Sequence, residues 1–262
     1  MTRIYDCTSD SDYAAHITLA HTTIGRGALV VIPTDTVYGV AADAFNAEAV
    51  QLLLDAKGRG RQSPPPVLIP GIPTLDALAA DVPQPVRDLV AAFWPGGLTV
   101  IVNAQPSLVW DLGETRGTVA LRMPSNQIAL DLLAETGPLA VSSANLSGMP
   151  STRTALAAEA ALGDSIEVYL DGGTAGSTYE SAESGDGSST IIDATGFATN
   201  GGLLHIVRDG VISRDAIAAV LGDVLAAAPV VPEAPEQSVE RLEADATPTI
   251  VAPSQDETDA SR

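Results

Sequence analysis

The spacing of the apolar residues constrains the fold of this chain more than any other feature. They occur in short, mostly continuous runs that are separated by helix-like segments. Runs that do not alternate with polar residues are typical of strands buried on both faces, as in a sheet between layers of helices. The sequence therefore predicts an α/β fold. Eight strands are predicted, at residues 28–32, 67–69, 98–102, 119–121, 139–141, 166–170, 190–192 and 203–207.

Residues that favour helix ends mark three of the intervening segments as helices. In the first segment, Val50, Leu53 and Leu54 fall on one helical face. The three helices are predicted at residues 47–56 after Asn46, at 127–135 between Ser125 and Gly137, and between Ser213 and Gly222.

Two segments break this pattern. Residues 174–188 contain almost no apolar side chains, which predicts a long mobile loop. From about residue 226 the chain is rich in Ala and Pro and carries eight acidic and two basic residues. Such a composition predicts disorder. The expected organisation is one compact domain over residues 1–225 and a disordered, acidic Ala/Pro-rich tail over residues 226–262.

The charge of the chain excludes some classes of function. It has 33 acidic and 13 basic residues and a formal net charge of -20, which argues against a broad basic surface for nucleic acid or anionic membrane. One Cys and three His cannot form an internal disulfide or a Cys/His metal cluster. Without a signal-peptide pattern or an apolar run of about 18 residues, we expect a cytoplasmic protein with no membrane partner.

The basic residues cluster at one place. Lys57, the only lysine, stands with Arg59 and Arg61 in the stretch KGRGR, just past a predicted helix. Its two glycines let the backbone approach a ligand closely. The cluster favours a local anion-binding loop over the alternative, an ordinary solvated run of charges.

Two polar motifs directly follow predicted strands. They are PTDTVYG at residues 33–39 and SSANLSG at residues 142–148. Ligands of open α/β sheets bind beyond the carboxyl ends of strands, and these hydroxyl and amide groups suit a phosphate or the sugar of a nucleotide. For the first motif the alternative is a polar strand-to-helix turn, in which Thr34 and Thr36 satisfy backbone groups.

Several common catalytic motifs are absent from the sequence. It has no G-x-S-x-G elbow with a histidine partner, which argues against a serine hydrolase. It also lacks G-x-x-x-x-G-K-[ST], and no G-x-G-x-x-G opens a helix, so neither a P-loop nor a dinucleotide-binding fold is supported.

Seven segments together resemble the YrdC-type L-threonylcarbamoyladenylate synthase family, in its short bacterial form. In chain order they are PTDTVYG, KGRGRQSPPPVLI, WPGGLTVIV, VALRMP, PLAVSSANLSG, SSTIID and IVRDGVI. The resemblance covers roughly residues 12–220. It implies a YrdC-like fold with a twisted, open, largely parallel or mixed sheet flanked by helices.

The resemblance also implies a reaction, in which L-threonine, bicarbonate and ATP give threonylcarbamoyl-AMP and pyrophosphate. This nucleotidyl transfer serves the threonylcarbamoyladenosine modification of tRNA next to the anticodon. The implied partners are these substrates, Mg²⁺ carried with ATP, and the downstream tRNA threonylcarbamoyl-transferase proteins, while direct binding of tRNA is left open. The carbamate of threonine is already an anion, so the chemistry needs positioning and cations more than a side-chain base.

Site residues follow from the resemblance position by position. Thr34, Arg122 and the backbone at Val141 would bind L-threonine, with the Arg122 guanidinium on its carboxylate. Lys57, Arg59 and Arg61 would be the catalytic cations. The implied ATP site consists of Lys57, Arg61, Thr118, Ser143, Asn145, Ser151 and Arg208. The metal ligands are not identified, and Asp35 and Asp43 are no more than candidates.

Alternatives remain at the level of single residues and of the whole chain. Arg122 could instead form a surface ion pair, and Arg208 could extend its stem along a strand end. The chain could be an RNA-binding module of the same fold without synthase activity, or a paralogue that acts on another carbamoyl adenylate. For the loop at residues 174–188 the hypothesis is a lid that orders over the nucleotide.

Overall fold

The computed structural model describes residues 3–179, 187–199 and 201–228. Its elements are β1 (Ile4–Asp6), α1 (Tyr13–Gly25), β2 (Val30–Ile32), β3 (Gly39–Asp43), α2 (Ala47–Ala56), β4 (Val67–Leu68), α3 (Ile72–Leu78), α4 (Gln84–Phe93), β5 (Leu98–Asn103), β6 (Thr118–Arg122), α5 (Gln127–Thr136), β7 (Leu139–Ser143), α6 (Ala155–Leu162), β8 (Val168–Asp171), β9 (Thr190–Asp193), β10 (His205–Arg208) and α7 (Arg214–Leu221). None of the described helices has both the length and the apolar character that a membrane span requires.

Within the described residues the ten strands form a single sheet in the order β1-β8-β2-β3-β7-β4-β6-β5-β9-β10. The pairs β1/β8, β2/β8, β4/β6 and β5/β9 are parallel. The pairs β2/β3, β3/β7, β4/β7, β5/β6 and β9/β10 are antiparallel. The sheet is therefore mixed, and the predicted α/β class is confirmed.

Strand β5 shows how the sheet divides into two faces. Successive side chains of a strand point to opposite faces. Leu98, Val100 and Val102 are buried in the core formed with α3, α4 and α7, so Thr99 and Ile101 face the other side. Helices α2 and α6 pack on the same face as α4, over β2 and β3.

The opposite face is covered only in part. Helices α1 and α5 pack there on β2, β3, β7 and β8, with Ile17 and Leu132 among the buried contacts. Over β4, β6, β5 and β9 the sheet instead borders a cavity, and none of the described residues that line this cavity belongs to a helix. The uneven distribution of helices thus leaves half of one sheet face open to a ligand.

The strand and helix predictions can be compared with this structure. All eight predicted strands overlap observed ones, and the three predicted helices correspond to α2, α5 and α7. Two details are wrong. The PTDTVYG motif is not a strand-to-helix turn, because it joins β2 to the antiparallel strand β3. The N-cap of α5 is Asn126, whose side chain accepts from the Ala129 amide, and not Ser125.

The predicted loop and tail lie partly outside the described residues. Residues 180–186 and 229–262 are not described, so the lid hypothesis and the disordered tail stay predictions. The first part of the loop differs from the expectation, since Ala175 is buried in the core beside α2 and α6. The Arg153 Nε donates to the Ala175 carbonyl at 2.8 Å, and the Ala175 amide donates to the Arg153 carbonyl at 2.8 Å. One small apolar side chain and two hydrogen bonds to Arg153, one from its side chain and one to its backbone, anchor this part of the loop.

Replacing Gly210 by alanine should lower the free energy of unfolding by about 1–3 kcal/mol. A Cβ at Gly210 would lie 2.4 Å from backbone atoms of Ser189 and Thr190, so the turn between β10 and α7 would have to move off β9. Chemical denaturation measures the effect. Gly25→Ala is the matched control, because a Cβ there meets nothing within 4 Å. Equal stability of the two variants would contradict the prediction.

Candidate active site

The cavity has its floor on the open half of the sheet and a volume of about 310 Å³. Alternate residues of neighbouring strands form this floor: Thr118, Ala120 and Arg122 from β6, Thr99 and Ile101 from β5, Leu68 from β4 and Ile191 from β9. The motifs at residues 33–39 and 142–148 form part of the wall, so the structure brings the two together. The size falls in the range of about 300–1,000 Å³ that is usual for small-molecule sites.

The charge of the lining is opposite to that of the chain. Among the described residues that line the cavity, three are arginines, Arg59, Arg122 and Arg208, nine are serine or threonine, and none is Asp or Glu. In a chain with a net charge of -20, every formally charged side chain among these lining residues is thus a cation. The arrangement suits an anionic ligand.

Arg122 is the most firmly held of these cations. Its side chain is 7% exposed and forms an ion pair with Asp35, whose side chain is 3% exposed, at 2.8 Å between NH2 and Oδ1. Its Nε donates to the Gly96 carbonyl at 2.9 Å, and NH1 donates to Thr36 Oγ1 at 2.9 Å. The alternative of a surface ion pair is therefore wrong, because the pair is buried at the cavity. A planar guanidinium fixed on three sides can present its remaining N–H groups to a carboxylate.

Thr34 lines the cavity but uses its hydroxyl within its own turn. Oγ1 donates to the Val37 carbonyl at 2.6 Å and accepts from the amides of Thr36 and Val37, each at 3.2 Å. The backbone groups of the turn are thus satisfied as one of the sequence alternatives expected. A contact between Thr34 and L-threonine stays a prediction.

Arg59 and Arg208 hold serine side chains of the wall. Arg59 NH1 donates to Ser142 Oγ at 3.1 Å. Arg208 donates to the Ser189 carbonyl from Nε at 3.1 Å and from NH2 at 2.7 Å, and also from NH2 to Ser189 Oγ at 3.0 Å. Arg208 therefore lies against β9 at the cavity. Of the other predicted residues, Thr118, Val141 and Ser143 also line this space.

Lys57 lies behind the wall and not among the lining residues. It is 2% exposed, and its Nζ donates to the carbonyls of Ser143 and, at 2.6 Å, Asn145. The Ser147 amide donates back to the Lys57 carbonyl at 3.1 Å. Burial, and then the nearby charge of Arg59, lower the pKa of Lys57 to about 8. In this structure Lys57 joins the end of α2 to the SSANLSG loop.

Arg61 also points away from the cavity. Its side chain forms an exposed ion pair with Asp111 and donates to Gln51 Oε1 at 3.2 Å. The Arg61 carbonyl accepts from the Glu114 amide at 2.8 Å. These contacts fasten residues 111–114 beside the KGRGR stretch, and Leu112 of this segment lines the cavity.

Asn145 and Ser151 lie outside the lining as well. Asn145 Nδ2 donates to the carbonyls of Leu146 at 3.0 Å and Met149 at 2.6 Å. Its buried Oδ1 has no protein partner among the described residues, which leaves an acceptor for a ligand or a water molecule. Ser151 is half-buried in the segment before α6.

The structure offers no resident metal site among its described residues. It contains no group of three or more His, Cys, Asp and Glu side chains that could hold an ion. Asp35 is committed to Arg122, and Asp43 accepts from the Phe45 amide at 2.9 Å at the end of β3. Both candidate carboxylates thus have protein partners in this structure, and the Mg²⁺ expectation stays a prediction.

Several lining residues were not assigned from the sequence. They are Thr36, Thr99, Ser142, Ser188 and Ser189. Thr99 could have been found, because a threonine between apolar residues in GLTVIV faces away from the core by strand alternation. The serines lie in motifs that the sequence analysis had singled out. Nothing in the sequence indicated that Asp35 pairs with Arg122, because 87 positions separate them in the chain.

Comparisons with known proteins agree with this geometry. The Sua5/YciO/YrdC family model, described as "Telomere recombination", matches residues 22–210. A provisionally named threonylcarbamoyl-AMP synthase of Mycobacterium tuberculosis (strain CDC 1551 / Oshkosh) is 46% identical over 222 residues, covering 85% of this chain and 96% of that protein. The threonylcarbamoyl-AMP synthase of Bacillus subtilis (strain 168) is 36% identical over 199 residues, covering 75% of this chain and 54% of that protein.

A solved structure is also similar. The crystal structure of P. abyssi Sua5 complexed with L-threonine superposes with a TM-score of 0.74 at 32% identity, covering 86% of this chain and 63% of that one. This chain thus spans less than two thirds of the P. abyssi protein and about half of the B. subtilis protein.

Proposed function

This chain belongs to the Sua5/YciO/YrdC family, and from that premise we propose that it is an L-threonylcarbamoyladenylate synthase. It joins L-threonine, bicarbonate and ATP to give threonylcarbamoyl-AMP and pyrophosphate, which makes it a nucleotidyltransferase of tRNA modification. Relatives that carry this name support the activity. The complex of P. abyssi Sua5 with L-threonine supports threonine as the amino acid.

The observation that carries the proposal is the charge of the cavity. Arg59, Arg122 and Arg208 line it and no described carboxylate does, although the chain as a whole is strongly acidic. Both substrates of the adenylyl-transfer step, the carbamate of threonine and ATP, are anions that repel one another. A cationic cavity reduces this repulsion and lets the two reacting groups align.

Within the cavity we assign the arginines by their surroundings. Arg122, fixed at the PTDTVYG turn, binds the carboxylate of L-threonine, and Val141 of β7 lines the same cavity. Arg59 and Arg208, which hold Ser142 and Ser189, bind the phosphates of ATP. The N-carboxylate of threonine then attacks the α-phosphorus and pyrophosphate leaves. No side-chain base is required, because the nucleophile is already ionised.

ATP enters with its own Mg²⁺ in this proposal. The cavity offers hydroxyl and carbonyl oxygens but no described carboxylate, and Mg²⁺ is commonly bound through substrate phosphates with few protein ligands. The cytoplasmic location, and the delivery of the product to tRNA threonylcarbamoyl-transferase proteins, remain predictions of the sequence.

The proposal is tested by pyrophosphate release with ATP, Mg²⁺, bicarbonate and each amino acid in turn. Release that depends on L-threonine and bicarbonate, with threonylcarbamoyl-AMP identified by mass spectrometry, is the expected result. The absence of pyrophosphate release with every amino acid would refute it. Release that depends on another carbamoyl donor would favour the paralogue.

An RNA-binding module is the less favoured function. The domain expected at residues 1–225 carries 25 acidic and 11 basic residues, and the binding of many backbone phosphates needs a broad cationic surface. A tRNA affinity that falls steeply with salt, together with no pyrophosphate release, would support this alternative.

The pKa of Lys57 predicts how activity depends on pH. The ammonium is protonated in the free enzyme below about pH 8 and loses its charge as the pH rises. If the charged form holds the ATP phosphates, kcat/KM for MgATP should fall about tenfold between pH 7 and pH 9, because this parameter reports groups of the free enzyme. Bound phosphates keep Lys57 charged, so kcat at saturating MgATP should fall less. A constant kcat/KM over this range would contradict the prediction.

A further inference from the structure

Tyr179 connects two segments that are distant in sequence, the turn after α4 and the PTDTVYG turn. Its hydroxyl oxygen accepts from the Gly97 amide at 2.9 Å and donates to Asp35 Oδ2 at 3.4 Å. Burial, and then the nearby charge of Asp35, raise the pKa of Tyr179, so the phenol keeps its proton at neutral pH. This residue ends the 3₁₀ turn Ser177–Tyr179, in the segment that the sequence predicts to be mobile.

The contacts of Tyr179 complete a closed ring of hydrogen bonds and one ion pair that includes Arg122. From Tyr179 the ring runs to Asp35, from Asp35 Oδ1 to Arg122 NH2 at 2.8 Å, and from Arg122 Nε to the Gly96 carbonyl at 2.9 Å. The next residue, Gly97, closes the ring of contacts, because its amide donates to the Tyr179 hydroxyl oxygen. The Ser125 amide adds a further bond to Asp35 Oδ1 at 3.0 Å. The guanidinium and the carboxylate are thus held from several sides.

Gly96 and Gly97 leave room for the Tyr179 side chain. A Cβ at Gly96 would lie 3.1 Å from the Tyr179 hydroxyl oxygen, and one at Gly97 would lie 3.3 Å from the same atom. Side chains at both positions would therefore crowd the phenol, and they would also clash with the Phe93 carbonyl at 2.6 Å and with Val211 Cγ2 at 2.3 Å. A further hydrogen bond joins this set of contacts to β9, since the Thr190 amide donates to the Gly97 carbonyl at 2.9 Å.

We propose that Asp35 and Tyr179 are positioning residues, which fix the plane of the Arg122 guanidinium so that it receives the carboxylate of L-threonine. The inference rests on the proposed function. A carboxylate binds an arginine best through two parallel N–H bonds, and that geometry depends on the orientation of the guanidinium plane. Asp35, the Gly96 carbonyl and Thr36 restrain this plane. Tyr179 restrains both Asp35 and the Gly96–Gly97 turn, so it acts on Arg122 by two routes.

Tyr179→Phe tests the inference with little change of shape. The variant loses the hydroxyl and keeps the aromatic ring. We therefore expect the dissociation constant for L-threonine, measured by calorimetry, to rise about three- to tenfold. KM for L-threonine should rise equally, while KM for MgATP and kcat stay within about twofold.

Tyr13→Phe is the matched control. Tyr13 also donates to an aspartate, with 2.6 Å from its hydroxyl to Asp131 Oδ2, but it joins α1 to α5 and does not line the cavity. It should leave threonine binding unchanged. If Tyr179→Phe weakens threonine binding no more than Tyr13→Phe does, or weakens threonine and MgATP binding equally, the inference is overturned.

Asp35→Asn extends the test. The substitution removes the charge that faces Arg122, and we expect a rise of about ten- to a hundredfold in the threonine dissociation constant. In the double variant Tyr179→Phe should add less than it does alone, because its route through Asp35 is already lost and only its hydrogen bond at Gly97 remains. Fully additive effects would overturn the route through Asp35. Threonine binding without pyrophosphate release would refute the proposed function and leave the inference standing, whereas no threonine binding by the wild-type protein would refute both.

Discussion

Replacing Arg122 by alanine is expected to lower the free energy of unfolding by about 3–5 kcal/mol and threonine-dependent pyrophosphate release by at least about a hundredfold. The Asp35 side chain is 3% exposed, and without Arg122 it would remain as a buried charge with no ionic partner. The same substitution removes the group assigned to the threonine carboxylate. Denaturant titration and the pyrophosphate assay measure the two effects separately.

The double variant Arg122→Ala, Asp35→Ala separates stability from function. It removes both charges of the buried pair, so much of the lost stability should return. Activity should not return, because the threonine carboxylate still lacks its cation. An active double variant would show that Arg122 serves the fold alone.

Replacing Lys57 by methionine should reduce pyrophosphate release about ten- to a hundredfold and lower the free energy of unfolding by about 1–3 kcal/mol. Methionine retains much of the aliphatic volume but donates to neither Ser143 nor Asn145, the two carbonyls that Lys57 holds. The SSANLSG loop would lose the two side-chain hydrogen bonds to residue 57 and keep only the backbone bond from Ser147, and any contact of the ammonium with ATP phosphates would be lost too. Steady-state kinetics and denaturation measure these effects.

Arg61→Ala is the control for Lys57→Met. It removes a neighbouring cation of the same stretch, but its ion pair with Asp111 is exposed on both sides, so stability should change by less than about 1 kcal/mol. A loss of activity with a raised KM for MgATP in this variant would place Arg61 on the phosphates during catalysis. Unchanged stability and activity in Lys57→Met would contradict the role given to Lys57.

Most of the strands could be predicted from the sequence. Apolar runs such as residues 98–102 locate buried strands because they need no partner to be recognised. The short strand β3 escaped prediction, since Gly39 and its small neighbours give a weak signal. Its pairing with β2 and β7 depends on contacts that local propensity does not encode.

The direction of each cation could not be predicted. Lys57 and Arg61 are close in sequence to Arg59, and of these three only Arg59 lines the cavity. Which way each side chain turns is decided by distant acceptors, the carbonyls of Ser143 and Asn145 for Lys57 and the carboxylate of Asp111 for Arg61. Tyr179 escaped notice for the same reason, because its partners at Asp35 and Gly97 are 144 and 82 positions away.

Because alternate strand residues form the floor of the cavity, the register of the central strands decides which side chains face it. In β6, Arg122 faces the cavity and its neighbour Leu121 is buried in the core on the other side. Inserting or deleting one residue ahead of Arg122 within this strand would exchange the two faces. Leucine would then face the cavity and arginine would enter the apolar core. A one-residue shift in this strand would therefore remove the cation from the cavity and destabilise the fold together.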